Sequence, residues 1–180
     1  MNPSLKQAMA GLTVKQERIE TELEIFRREL REDLEVLPKS LVQLVEYMQD
    51  HLFDPELNVN NIKRQFHLRD HNFGVPFRYA LGVTPRHYIE ILRMGAADRL
   101  LRTGDVEIYL VAMSVGYCHQ ETFFRAFQRH FGCPPSHRRN EGGNKGRENV
   151  KVDTQEKPPR QTDKRRPQTD FRTSLAQWRK

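Results

Sequence analysis

The chain has only two cysteines, Cys118 and Cys133, in 180 residues. Two thiols do not make a disulfide framework. Long apolar runs are also missing. The longest, Ile108 to Val115 with Ser114 inside it, falls far short of the roughly 20 residues a membrane-spanning helix needs. The first residues carry no apolar segment of the secretory kind. These absences lead to the expectation of a soluble, cytoplasmic protein of a reducing compartment, with no membrane contact. The marks of catalysis are absent as well. There is no Gly-rich phosphate loop, no Ser/His/Asp order and no pair of carboxylates in a plausible cleft. No catalytic residue is assigned and no enzyme activity is expected. Cys118-His119 and His130-x2-Cys133 offer the one combination of metal-ligand types. They lie at opposite ends of one expected helix, about 17 Å apart by helical rise, so a single ion cannot take ligands from both. No metal and no cofactor is expected.

What the chain does have is charge. Charged residues make up 30% and hydrophobic ones 37%, with a net charge of +6 and a pI near 9.5. Part of the chain is therefore expected to stay unpacked, and the excess of cations favours a polyanionic partner. Residues 1–37 are net −2, residues 38–139 net +3 and residues 140–180 net +5. The middle block is only mildly basic, so any affinity it has for a polyanion must come from local clustering.

The most informative stretch runs from Asp105 to Arg139. Ile108, Val111, Ala112 and Val115 repeat at helical spacing. Asp105 stands where an N-cap is expected, and Gly116 where a residue with positive φ ends a helix. After the turn Tyr117-Cys118-His119, Phe123, Phe127 and Phe131 step by four. Gly132 and Pro134-Pro135 stop that second helix. Helix, short turn and helix in about 27 residues is the size of a DNA-binding helix-turn-helix. Its outer side offers His119, Gln120, Glu121, Thr122, Arg125, Gln128 and Arg129, side chains that hydrogen-bond to base edges and phosphates.

The rest falls into order around it. In residues 4–37, Leu5, Met9, Leu12, Ile19, Leu23, Phe26, Leu30 and Leu37 follow a heptad seam, with Gln16 and Asp33 as polar exceptions. Two readings stay open: a coiled coil that makes a homodimer, or an amphipathic helix that folds back on its own domain. Pro38 breaks this helix. Ser40 can cap the next, whose inward stripe is Leu41, Leu44, Val45, Met48 and Leu52. From Leu57 to Leu81 the helix-turn-helix layout recurs. Val59, Ile62 and Phe66 mark its first helix, His67 to Arg69 its turn, and Asp70 to Leu81 its second helix, ended by Gly82. Thr84-Pro85 opens a long helix with Tyr88, Ile89, Leu92, Ala96, Leu100 and Leu101 inward. The two halves form an internal repeat of period near 50, FRYALGVTP beside FQRHFGCPP. Residues 140–180 are expected to be a disordered basic tail. Lys164-Arg165-Arg166 there either adds nonspecific attraction to nucleic acid or has no role, and Phe171, Leu175 and Trp178 have the spacing of a short docking motif.

Residues from about Ser40 to Arg139 resemble the DNA-binding domain of the AraC/XylS family of bacterial transcription factors. The resemblance rests on Ile108, Val111-Ala112, Gly116-Tyr117, Phe123-x-Arg125-x-Phe127 and Phe131-Gly132-Cys133-Pro134-Pro135. Gly82, Thr84-Pro85, Tyr88, Arg93, Ala97 and Leu100-Leu101 add to it. It implies an all-α fold of two helix-turn-helix subdomains joined by a long central helix. Double-stranded DNA is then the partner, with RNA polymerase as a second. Carried over, base readout falls to His119, Gln120, Glu121, Thr122 and Arg125, and in the first subdomain to Asp70, His71 and Asn72. Backbone contacts fall to Arg78, Arg129, Arg138 and Arg139. Phe124 stands where the family usually has a small polar residue; it either touches a thymine methyl or packs. The first subdomain departs from the pattern. Lys63 replaces a small buried residue, His67 replaces the turn glycine, and Gly74, Val75 and Pro76 interrupt the first reading helix. That helix is expected to be kinked, short or begun late, and to give backbone contacts and shape fit more than base readout. The 37 residues before the domain are too few for a small-molecule pocket, so no small-molecule ligand is expected. The alternative to a regulator is a protein-interaction adaptor whose degraded first subdomain leaves only nonspecific DNA affinity.

Overall fold

The computed structural model describes residues 3–31, 37, 39–68 and 73–143. Among them lie eight α-helices and no strand: α1 (Pro3–Arg31), α2 (Lys39–Asp50), α3 (Val59–Gln65), α4 (Gly74–Leu81), α5 (Pro85–Arg102), α6 (Ile108–Ser114), α7 (Gln120–Phe131) and α8 (Pro135–Gly143). The expected tail lies outside the described residues from 144 on. No helix among the described residues is long and apolar enough to cross a membrane.

The centre is α5. Thr84 caps it, its side chain accepting from the His87 N–H, with Pro85 at the first helical position. There Pro's missing N–H costs nothing and its fixed φ suits the helix. The one-sided stripe expected for α5 is an underestimate. Ile91, Met94 and Ala97 are buried along with Tyr88, Ile89, Leu92, Leu100 and Leu101. The reason is that α1, α4, α6, α7 and α8 all pack against it. Its middle, Gly95-Ala96-Ala97, is small enough to let neighbours approach the helix backbone.

α2 buries the whole stripe read from the sequence, Leu41, Leu44, Val45, Met48 and Leu52. It starts at Lys39, so Ser40 lies inside the helix and not at its cap. Buried Gln49 donates from Nε2 to the Leu30 carbonyl (3.4 Å) and to Tyr88 Oη (3.0 Å). That gives a carbonyl near the end of α1 a side-chain donor.

The heptad pattern of the N-terminal helix has a use inside this chain. Ile19, Leu23, Phe26 and Leu30 are 4–8% exposed and belong to the common core. That half of the seam is filled by the chain's own helices. Leu12 and Val14, by contrast, are 58% and 62% exposed. Ion pairs flank the docked half. Arg99 holds Glu22 (3.1 Å) and Glu29 (2.9 Å), Arg18 holds Asp105 (2.6 Å), and Lys15 holds Glu107 (2.5 Å). Each buried apolar side chain contributes about 1.5–3 kcal/mol, against about 0–1 for an exposed ion pair. The apolar stripe holds α1, and the ion pairs set its register.

One charge sits inside. Arg93 on α5 is 8% exposed. Its guanidinium donates to the carbonyls of Leu52 (2.8 Å), Asp54 (2.6 Å) and Gly116 (3.0 Å), and its face lies 5.8 Å from the Tyr117 ring. Burial pushes its pKa down, while Tyr117, Asp54 and Cys118 favour the charged form. It ties the loop after α2 to the turn between α6 and α7.

Candidate nucleic-acid interface

Two helix-turn-helix units, α3–α4 and α6–α7, flank α5. Their turns close the same way. In the second, Gly116 has φ +85°, and the Tyr117 N–H donates to the Ala112 carbonyl (3.0 Å). In the first, His67 has φ +50°, and the Leu68 N–H donates to the Lys63 carbonyl (2.9 Å). The missing glycine therefore did not change the turn, and His67 takes the left-handed conformation in its place. Lys63 is half-buried where its counterpart Ala112 is fully buried.

α7 has the length and polarity read from the sequence. Phe123, Ala126 and Phe127 point inward at 0–5% exposure. Gln120, Glu121, Thr122, Arg125, Gln128 and Arg129 are exposed. His119 is the exposed N-cap, without a side-chain capping bond. Phe124 is half-buried and edge-on to Phe123 at 6.2 Å, so it packs and also shows a face. The start of α6 differs from expectation. Glu107, not Asp105, is the N-cap. Asp105 is drawn to Arg18, and the hydrogen bond from Lys15 holds the Glu107 carboxyl below the usual carboxylate range.

The arginines divide into two groups. Arg125 lies 3.5 Å from Glu121 with both side chains more than 80% exposed, a contact of little strength, so its head is available. Arg78 is exposed on α4. Arg129 is held by Glu90 of α5 at 2.5 Å. Arg138 is not displayed as a backbone-contact residue should be. Its guanidinium is 3.3 Å from Asp98 and lies over the Phe131 ring at 5.3 Å, inside the α5–α8 packing. Arg139 is half-buried and its charge acts on Glu107. Asp70, His71 and Asn72 lie outside the described residues.

Two clefts run between these helices. One of about 670 Å³ is lined by Asn58, Asn60, Arg86, Thr122, Arg125 and Arg129. The other, of about 590 Å³, is shared by Arg78 of α4, Arg86 and His87 of α5, and Arg129 and His130 of α7. Arg86 lines both, and sequence reasoning missed it. It lies in the first turn of α5, outside either helix-turn-helix, and the only sign was its exposed position after Pro85. Tyr117, which backs the first cleft, has its pKa pushed up to about 12 by burial and by Glu90. His130 is pushed down by burial.

The arrangement defines the class: an all-α protein with two helix-turn-helix units bridged by a single long helix. A family model described as a helix-turn-helix domain matches residues 64–141. The HTH-type transcriptional regulator ExsA of Pseudomonas aeruginosa is 32% identical over 93 residues, covering 52% of this chain and 33% of that protein. The HTH-type transcriptional activator RhaS of Escherichia coli is 30% identical over 106 residues, covering 59% and 38%. This chain thus spans about a third to two-fifths of the length of these curated relatives. The C-terminal domain of AraT, a response regulator from Geobacillus stearothermophilus, has the same fold, with a TM-score of 0.55 at 24% identity over 58% of this chain and 86% of that one. Over residues 64–141 the chain is therefore similar to a helix-turn-helix domain, and it shares that stretch with these regulators.

Proposed function

We propose that this chain is a sequence-specific, double-stranded-DNA-binding transcription regulator that reads the major groove mainly through α7. The observation that carries this is the outer face of α7. Gln120, Glu121, Thr122 and Arg125 are all exposed on a helix whose other side is anchored by three buried aromatic or small residues. Such a face fits base readout: Gln pairs with adenine, Arg with guanine, and a Thr methyl meets a thymine methyl. Arg78 and Arg86 flank it as backbone-neutralising charges. The names of the relatives, a transcriptional regulator and a transcriptional activator, support the same reading. Two copies pairing through the exposed end of α1 would bind paired half-sites.

The test is selection of bound sites from random duplex DNA with the purified chain, followed by Arg125→Ala. A preferred motif should emerge. The variant should lose about 1–3 kcal/mol at one base position and relax specificity there. Equal weakening on every sequence would assign Arg125 to phosphate instead.

A further inference from the structure

The two reading helices differ in a way the repeat makes measurable. Phe73 pairs with Phe123, Phe77 with Phe127 and Gly82 with Gly132; both phenylalanine pairs are buried, and both glycines are left-handed at φ +72° and +73°. In this register α4 starts four residues later than α7. Pro76 then falls in the first turn, where its missing N–H has no helical partner to lose. The same register puts Val75 where α7 has Arg125 and Tyr79 where it has Arg129. Val75 is 75% exposed and Tyr79 94% exposed, two of the most exposed large apolar side chains described. They stand one turn apart on one face of α4.

This apolar pair is not on an apolar surface. Arg78 stands on the same helix, and the cleft it lines brings in Arg86, His87 and Arg129. Glu90 in the same cleft pairs with Arg129, which leaves Arg78 and Arg86 as its unneutralised cations, and a protein partner with an apolar patch would meet them at a cost. A duplex offers the matching surface: thymine 5-methyl groups on the floor of the major groove between two rows of phosphates. The geometry points to α4 as a reader of thymine methyls, with Val75 and Tyr79 as specificity-determining residues for the second segment of the site. This rests on the reading of the chain as a sequence-specific DNA binder. It goes beyond the expectation that α4 gives backbone contacts and shape fit more than base readout.

The test uses the full chain and the motif obtained by random-site selection. The segment under α4 is the part of the motif that lies about one helical turn, roughly 10 base pairs, from the position whose preference Arg125→Ala relaxes. Thymines there are replaced one at a time by deoxyuridine, which removes only the methyl. Wild type should lose about fourfold in affinity per contacted methyl, the size expected for one methyl group taken from apolar contact. Val75→Ala, an exposed change to a better helix former, should melt like wild type and lose the response to deoxyuridine at one of these positions while keeping it at the methyl that Tyr79 contacts. Both proteins should respond alike to deoxyuridine under α7. The inference is overturned if deoxyuridine under α4 leaves wild-type affinity unchanged. It is equally overturned if Val75→Ala and Tyr79→Ala weaken binding alike on all sequences, or leave DNA binding intact and abolish binding of another protein. If no motif is enriched at all, the functional reading itself fails, and with it this one.

Discussion

His67 holds a backbone conformation, φ +50°, that glycine adopts freely and other L-residues adopt at a cost of about 1–2 kcal/mol. Its counterpart Gly116 is held there for a second reason. A Cβ on it would lie 2.9 Å from the Arg93 guanidinium and 3.0 Å from the Phe53 carbonyl. His67 is exposed, so the strain is set against the extra freedom of glycine in the unfolded chain, about 0.4–1 kcal/mol, and His67→Gly should stabilise the fold by about 0.5–1 kcal/mol, raising the melting temperature by about 2–3 °C. A thermal melt that falls or stays put would show that the histidine side chain has contacts worth more than the strain. Arg93 is the opposite case. Arg93→Met removes the donor from three buried or half-buried carbonyls, those of Leu52, Asp54 and Gly116. Leaving such groups unsatisfied should cost about 3 kcal/mol in urea denaturation. Lysine should recover less than half of this, because one ammonium cannot reproduce the planar fork. The left-handed turn was legible in the sequence from its glycine. The task of Arg93 was not, because an arginine on a helix gives no sign of burial until the chain around it is placed.

At the scale of elements, spacing was a good guide to where helices stop and a poorer one to what covers them. Gly82 and Gly132 end α4 and α7 as their positions announced, and of the three outcomes expected from Gly74-Val75-Pro76, a kinked, short or late-started helix, α4 shows a start at Gly74 and a length of eight residues. The stripe of α5 was legible on one side only. Periodicity records one face, whereas α5 is packed from several directions. α1 is the clearest example of an ambiguous signal. A seam of period 3.5 satisfies a partner helix from a second copy or a groove in the same chain equally well. Its docked half should behave as core. Phe26, 4% exposed and 6.4 Å from the Phe53 ring, should cost about 3–5 kcal/mol as Phe26→Ala. Arg99→Ala, which removes ion pairs to both Glu22 and Glu29, should cost under about 2 kcal/mol at these partly exposed sites. Chemical denaturation of the two variants side by side decides between an apolar and an ionic attachment. A larger loss for Arg99→Ala would reverse the assignment.

Across the whole molecule, α1 makes the N-terminal segment and the helix-turn-helix domain one folded unit, because the boundary at Pro38 divides a shared core. Cutting there removes Ile19, Leu23, Phe26 and Leu30 from that core, so the shortened chain would report on stability and not on association. The informative cut is at Lys15. It keeps the four buried seam residues and the ion pairs of Lys15 and Arg18 to Glu107 and Asp105. It removes Leu12 and Val14, which are exposed, and the seam positions Leu5 and Met9. Beside that end lies an apolar groove of about 940 Å³ whose lining includes Leu12, Gln16, Phe53, Leu110 and Met113. An end of helix this short gains little stability alone, and Gly11 within it costs about 1 kcal/mol more than alanine would. Pairing with the same segment of a second copy would cover Leu12 and supply what is missing. Sedimentation at micromolar concentration should therefore give a dimer for the intact chain and a monomer for the chain starting at Lys15. The two should have the same unfolding midpoint once the intact chain is diluted to monomer. A monomer in both cases would leave the open end of α1 without a role in assembly, and the two helix-turn-helix units of one chain would then make the whole DNA contact.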